Sequence, residues 1–147
     1  MTAENIEDAY FLRDGDLLFA RSGNTVGKTY LHQTGKVRGI CIYAGYMIRF
    51  RFTDAVLPEY VFAFTQTSHY REWVQAIQRT AGQPNINAQE YLGLTIPLPP
   101  MSVQERIASK ASSIRVEARK LKADATAALE SAKQKIEEEL IGEGEEG

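Results

Sequence analysis

Two short stretches of this chain gather side chains suited to two-point hydrogen bonding. Gln83, Asn85, Asn87 and Gln89 place four amides within seven residues, and Arg21-Ser22-Gly23-Asn24 sets a guanidinium, a hydroxyl and an amide on a tight turn. An amide offers a donor beside an acceptor and so matches the edge of adenine; a guanidinium offers two parallel donors and so matches guanine. Loops of this composition can read base edges in a DNA major groove. Lys28, Arg38, Arg49, Arg51, Arg71 and Arg79 are the cations available for phosphates, contacts that fix register without reading sequence. The plainer alternative is that the amides only stitch their own turns together. Taking the two loops as a pair, we favour recognition, with Arg21, Ser22, Asn24, Lys28, Arg79, Gln83, Asn85 and Asn87 as candidate DNA-contacting residues.

Catalytic chemistry finds less support. Gly23-Asn24-Thr25-Val26-Gly27-Lys28-Thr29 follows an apolar strand and has the outline of a phosphate-binding loop. It holds three residues between its glycines where that loop needs four, and the following stretch, 30–37, contains Gly35 and shows no helical period. His32 and His69 lack metal-ligand spacing. Asp14 and Asp16 flank Gly15 in a turn, where carboxylates usually bond the local backbone. No nucleophile–base arrangement is present, so the chain is expected to be non-catalytic and to need no cofactor or metal. Cys41, the single cysteine, lies between Ile40 and Ile42 and is expected to be a buried structural thiol.

The elements that must position these loops follow from local pattern. Arg13-Asp14-Gly15-Asp16 predicts a turn and Leu17-Leu18-Phe19-Ala20 an apolar strand. Residues 28–32 and 40–52 have the β-branched and aromatic content of strands; 47–52 alternates, which predicts one wet face. A turn at 53–58 leads into a helix over 59–79, with a break near Thr67-Ser68. A loop at 82–87 and a short strand at 91–96 precede Pro97, Pro99 and Pro100, which hold the chain extended. Ser102 and Glu105 have capping-box spacing and predict a helix over 102–141. Its residues Ile107, Ala111, Ile114, Ala118, Leu121, Ala125, Ala128 and Ala132 recur at steps of four and three, a coiled-coil seam. The seam is alanine-rich, so a second identical or related helix is its natural partner; the alternative is a helix folded back on its own domain.

The expected fold class is α+β: a small mixed β-sheet domain with a helix or helix pair over 1–100, a long coiled-coil helix over 101–141 mounted on it at a fixed angle, and a disordered acidic tail over 142–147. The chain has 147 residues and a net charge of −2, which argues mildly against nucleic-acid binding. That average hides a gradient: residues 9–90 carry nine Lys and Arg against six Asp and Glu, whereas 137–147 is strongly acidic. With no spanning segment and a polar beginning, the protein is expected to be soluble and cytoplasmic, without membrane contact.

Two segments carry a family resemblance. GDLLFARSGNTVGK resembles the glycine segment, and GQPNINAQEYLGLTIPLPPMSVQERI the proline segment, of specificity subunits in type I restriction–modification systems. The match runs over most of 14–140; the proline segment with its long helix is the more specific part. In that family a target recognition domain is followed by a helix. Two such units pack their helices antiparallel, set the domains on the two halves of a split target, and dock methyltransferase subunits. The resemblance therefore implies a non-catalytic, sequence-specific DNA-recognition subunit or half-subunit. Its implied partners are double-stranded DNA, methyltransferase subunits, a restriction subunit, and a second copy or second half paired through the C-terminal helix. Two features depart from the pattern. Gln104-Glu105 reverses the family's usual Glu-Gln, and fewer strands than usual precede Gly15, so less than one complete domain–helix unit is matched. A truncated, coiled-coil interaction module without DNA binding of its own is the competing expectation.

Overall fold

The computed structural model describes residues 10–78 and 84–142. Three strands, β1 (Leu17–Ala20), β2 (Thr29–Leu31) and β3 (Met47–Phe50), are followed by α1 (Pro58–Phe64), α2 (Ser68–Ile77), α3 (Ala88–Leu92) and α4 (Met101–Gly142). The α+β expectation holds, with every pairing in the sheet antiparallel rather than mixed: β1 lies between β2 and β3, Leu17 facing Leu31 on one side and Phe50 on the other. The chain divides into two compact units, the first reaching Ala108 and the second beginning at Ser109. The acidic residues past Gly142, with the disorder expected of them, lie outside the described residues.

β1 is central because its four residues are all apolar and all buried, as a strand covered on both faces requires. Leu17 and Phe19 join Tyr60, Val61, Tyr70, Val74, Ile86 and Tyr91 in one core. Phe19 anchors the aromatic packing, with ring centroids 5.2 Å from Phe50 and 4.8 Å from Tyr91. The turn before β1 is closed by Asp16, whose Oδ2 accepts from Arg13 N–H at 2.9 Å; Asp14 does not bond its own turn as expected but accepts, through Oδ1, from Thr34 N–H at 2.7 Å, twenty residues on. Asp16 is 1% exposed and also receives the Arg51 guanidinium at 2.7 Å. Burial pushes the Asp16 carboxyl up, but the Arg51 hydrogen bond, the Arg13 amide and the charges of Arg51 and Arg49 outweigh it, holding the group below the ordinary carboxylate range. Arg49 donates to the Phe11 carbonyl and sits over the Tyr43 ring. Both arginines thus have structural roles in the domain.

The helical region breaks where Thr67 predicts. α1 opens on Pro58 and ends at Phe64; Thr67 then caps α2, its Oγ1 accepting from Tyr70 N–H at 3.3 Å. Other expectations need correction. Of 40–52 only Met47–Phe50 is strand; the alternation shows in its packing, with Ile48, Phe50 and Phe52 against the core and Arg51 exposed. Cys41 is half-buried, not buried, since Ile40 beside it is 81% exposed. The strand expected at 91–96 does not form: Tyr91 and Leu92 end α3 and 93–96 is irregular; a capping box starts α3, Asn87 Oδ1 accepting from Glu90 N–H at 3.0 Å and Glu90 Oε2 from Asn87 N–H at 2.7 Å. α4 begins one residue before Ser102, with the Pro100 carbonyl accepting from Val103 and Gln104 N–H, so Ser102 lies within the first turn and does not cap it.

What fixes that first turn is Gln104. Its side chain is 1% exposed; Oε1 accepts from Leu57 N–H at 2.9 Å, and Nε2 donates to the Ala55 and Pro99 carbonyls at 3.0 and 2.9 Å. Tyr60 Oη donates to the Pro97 carbonyl at 2.6 Å. Proline 97 and proline 99 lend no N–H of their own, and here their carbonyls are held instead. The expected seam begins beyond this turn on a different face: Ala108 is buried while Ile107 is 40% exposed.

Candidate nucleic-acid interface

The two amide-bearing loops, far apart in sequence, are joined by backbone. Gly23 N–H donates to the Pro84 carbonyl at 3.0 Å and Ile86 N–H to the Arg21 carbonyl at 2.8 Å, with Ser22 and Asn85 forming an antiparallel bridge. Ile86 is fully buried, so the core itself pins the second loop. Within the first loop, residues 23–25 form a single 3₁₀ turn, and Gly27 N–H returns to the Ala20 carbonyl at 3.0 Å. Gly27 has a φ of +79° and no room for a side chain: a Cβ there would lie 2.6 Å from Val74 Cγ1. Only glycine therefore lets the loop lie against α2. Tyr70 Oη, on α2, donates to the Gly27 carbonyl at 2.8 Å, and Tyr91 Oη, on α3, to the Ala20 carbonyl at 3.0 Å. Burial pushes both phenols up, Tyr70 further because Tyr91 adjoins it, so both remain protonated donors.

Between this loop and α2 runs a cleft of about 630 Å³. Asn24 and Lys28 form one wall; Gln66, Arg71, Gln75 and Gln78 form the other. No carboxylate occurs among its described lining residues. Lys28 and Arg71 are exposed, and neither makes an ion pair among the described residues. The floor is hydroxyl-bearing: Thr29 and Thr65 share a 2.8 Å hydrogen bond, and Gln66 Nε2 donates to both.

Of the eight candidate contact residues, Asn24 and Lys28 line the cleft. Arg21, Ser22 and Asn85 lie at the backbone junction beside it. Asn87 spends its carbonyl oxygen on the α3 cap, the local role its amide was weighed against. Arg79 and Gln83 lie outside the described residues. Gln66, Gln75 and Gln78 line the same cleft and were not among the candidates. The available signal was the spacing of Arg71, Gln75 and Gln78, steps of four and three that carry one polar strip along α2 to its C-cap residue, Gln78. Among the described residues there is no grouping of three or more His, Cys, Asp and Glu fit to hold a metal, and no helix long and apolar enough to cross a membrane.

The second unit is helix alone. Its seam residues Ile114 and Leu121 are 56% and 62% exposed; Ala118, Ala125 and Ala128 are exposed and Ala111 is half-buried. Leu129, Ile136 and Leu140 are also exposed, at 58%, 57% and 69%. They extend the strip through 121, 125, 129, 132, 136 and 140 at a mean step nearer the eleven-residue repeat than the heptad. Such a repeat pairs helices with little or right-handed supercoil. The heptad seam through Ala128 and a strip shifted to Leu129 are alternative paths along the same exposed surface.

No family model matches the chain. Over 108 residues, 70% of its length, it is 27% identical to the Type I restriction enzyme EcoKI specificity subunit of Escherichia coli (strain K12), and it spans 23% of that protein's length. The chain is thus a weak homologue of a type I specificity subunit, the family its glycine and proline segments resemble.

Proposed function

We propose that this chain is a non-catalytic DNA-recognition module of the type I specificity-subunit kind. The observation that carries the reading is the cleft: two unpaired cations, four amides and no carboxylate among its described lining residues, in a chain whose net charge is −2. Lys28 and Arg71 hold phosphates, and amides around the paired loops contact base edges. The exposed strip of α4 pairs with a second such helix and gives a methyltransferase its docking surface, with a restriction subunit joining the same complex. With 42 residues, about 63 Å at 1.5 Å per residue, the helix sets the separation of two half-sites. Catalysis belongs to the partner subunits.

The test is titration of labelled duplex DNA at several salt concentrations. Two phosphate contacts predict that log K falls with log salt at a slope of roughly −2. Absent or salt-insensitive binding by the folded chain would remove DNA recognition. It would leave the second reading, an interaction module that works through its helix alone, for which the exposed Ile114, Leu121, Leu129 and Ile136 speak. Sedimentation showing self-association without DNA affinity is the result that reading expects.

A further inference from the structure

Three surfaces compete for an unassigned role: the exposed apolar residues around Ile40, Ile42 and Tyr46, the strip on α4, and the polar strip of α2. Nothing shows what covers the first, and the second already belongs to helix pairing. The third carries an argument of its own.

α2 divides by face. Tyr70 and Val74 are buried, with Trp73 and Ile77 half-buried beside them. At about 100° per residue, Arg71, Gln75 and Gln78 fall within a narrow strip flanking that buried side. Glu72, the helix's one carboxylate, lies about 100° further round from Arg71 and does not line the cleft. Gln75 and Gln78 make no side-chain hydrogen bond within the described residues, unlike Gln66, whose amide is held by Thr29 and Thr65. Among the described residues their two-point amides are therefore uncommitted, Gln75 on a helix whose position is fixed by core packing and by the Tyr70 bond to Gly27, and Gln78 at that helix's C-cap. A rigid element bearing such amides in one cleft with two cations that make no ion pair among the described residues has the chemistry of base-edge reading. The flanking cations attract phosphate, and an amide pairs bidentately with adenine N6 and N7.

Resting on the DNA-recognition reading above, we propose that α2 is a base-reading element: Gln75 and Gln78 contact base edges of duplex DNA, adenine in preference, with Lys28 and Arg71 on the adjoining phosphates. The specificity of this domain then resides partly on a helix, in residues outside both amide-rich loops.

The experiment selects sequences from a random duplex library with the full chain, then profiles base preference for Gln75→Ala, Gln75→Glu, Gln78→Ala and Lys28→Ala. Wild type is expected to select a motif containing adenine. Gln75→Ala or Gln78→Ala should relax one position by roughly 5- to 150-fold, and Gln75→Glu should move its position toward cytosine, whose N4 amine a carboxylate accepts. Lys28→Ala should weaken all sequences alike and reduce the salt slope by roughly one. Unchanged profiles in both glutamine-to-alanine variants, or losses uniform across sequences, overturn the inference while leaving DNA recognition standing. A folded wild-type chain that selects no sequence and binds DNA without salt dependence overturns both.

Discussion

The sheet domain and the long helix leave opposite kinds of surface unsatisfied. In the first unit every buried side-chain nitrogen and oxygen among the described residues has a partner, Asp16, Thr65 and Gln104 included. Besides the exposed apolar Ile40, Ile42 and Tyr46, what remains open there is a polar cleft. In the second unit the backbone bonds itself and the side chains left over are apolar: Ile114, Leu121, Leu129 and Ile136, each more than half exposed. A surface rich in uncommitted donors and cations is completed by a polar, anionic ligand; an isolated apolar strip on a helix is completed by another helix. On the function proposed above, one chain carries two recognition problems solved by different physics. Salt should weaken the first and leave the second nearly untouched.

The strongest way to break this contrast is to leave the domain internally unsatisfied. Gln104→Ala removes all three side-chain bonds to the Leu57 amide and the Ala55 and Pro99 carbonyls, and it opens a cavity. Unsatisfied or half-solvated backbone groups cost about 1–3 kcal/mol each when buried, so urea unfolding should show a loss of about 3–4 kcal/mol. A loss under 1 kcal/mol would mean that water replaces these bonds and that the first turn of α4 is not held by them. Glu105→Ala, one residue on and exposed, should stay within about 0.5 kcal/mol.

The helix is tested by placing a charge on its strip. Leu121→Asp should weaken self-association about a hundredfold in analytical ultracentrifugation, equivalent to about 2.7 kcal/mol, without altering the unfolding of the sheet domain. The repeat can be resolved by comparison. If the strip passes through Leu129, Leu129→Asp should weaken association more than Ala128→Asp; the reverse order would restore an unbroken heptad.

How far the sequence could reveal this arrangement depended on the range of the causes. The turn and strand at 13–20, the helix break at Thr67 and the extent of α4 follow from neighbours a few residues apart, and they were legible. The signal for α3 was equally local, Asn87 and Glu90 at capping-box spacing. It was outweighed in sequence by the aromatic and β-branched residues at 91–96, which here supply core packing and not strand pairing. Gln104 was illegible for a different reason. Two of its three partners lie 47 and 49 residues back, and nothing local distinguishes a buried amide from the exposed Glu105 beside it. The same holds for the bridge between Ser22 and Asn85: the sequence nominated both loops by composition but gave no sign that they share backbone hydrogen bonds. The strip of Arg71, Gln75 and Gln78 was visible as spacing. Such rows are usually only the solvated face of a helix, and only the opposite wall of Asn24 and Lys28 gives this one a possible ligand.

The Asp16–Arg51 pair sharpens the distinction within the domain, between cations that serve the fold and cations left for a ligand. Asp16→Asn should cost about 2 kcal/mol at neutral pH, the value of hydrogen bonds to a buried charge. The folded carboxyl titrates below its unfolded value of about 3.9, so its contribution is complete above that pH and is lost as pH falls through the lower folded value. The stability gap between wild type and variant should therefore narrow only in acid, below about pH 4. A gap constant down to pH 2 would detach the effect from ionisation. Lys28→Ala, by contrast, should leave unfolding within about 0.5 kcal/mol, because no fold contact holds its side chain.

The smallest effect bears most directly on the cleft. Tyr70→Phe keeps the ring in the core but deletes the bond from Oη to the Gly27 carbonyl, which ties the loop bearing Lys28 and Asn24 to the helix bearing Arg71 and Gln75. The expected stability loss is about 1 kcal/mol, that of one neutral hydrogen bond. Hydrogen exchange should rise at the amides of 23–27 and not in β1, whose Leu17 to Ala20 ladder is closed on both sides. Because burial raises the Tyr70 phenol, the wild-type bond should persist unchanged through the ordinary tyrosine range near pH 10. If exchange in the loop stays at wild-type rates in the variant, then Gly27 packed against Val74 is itself enough to hold the two walls together.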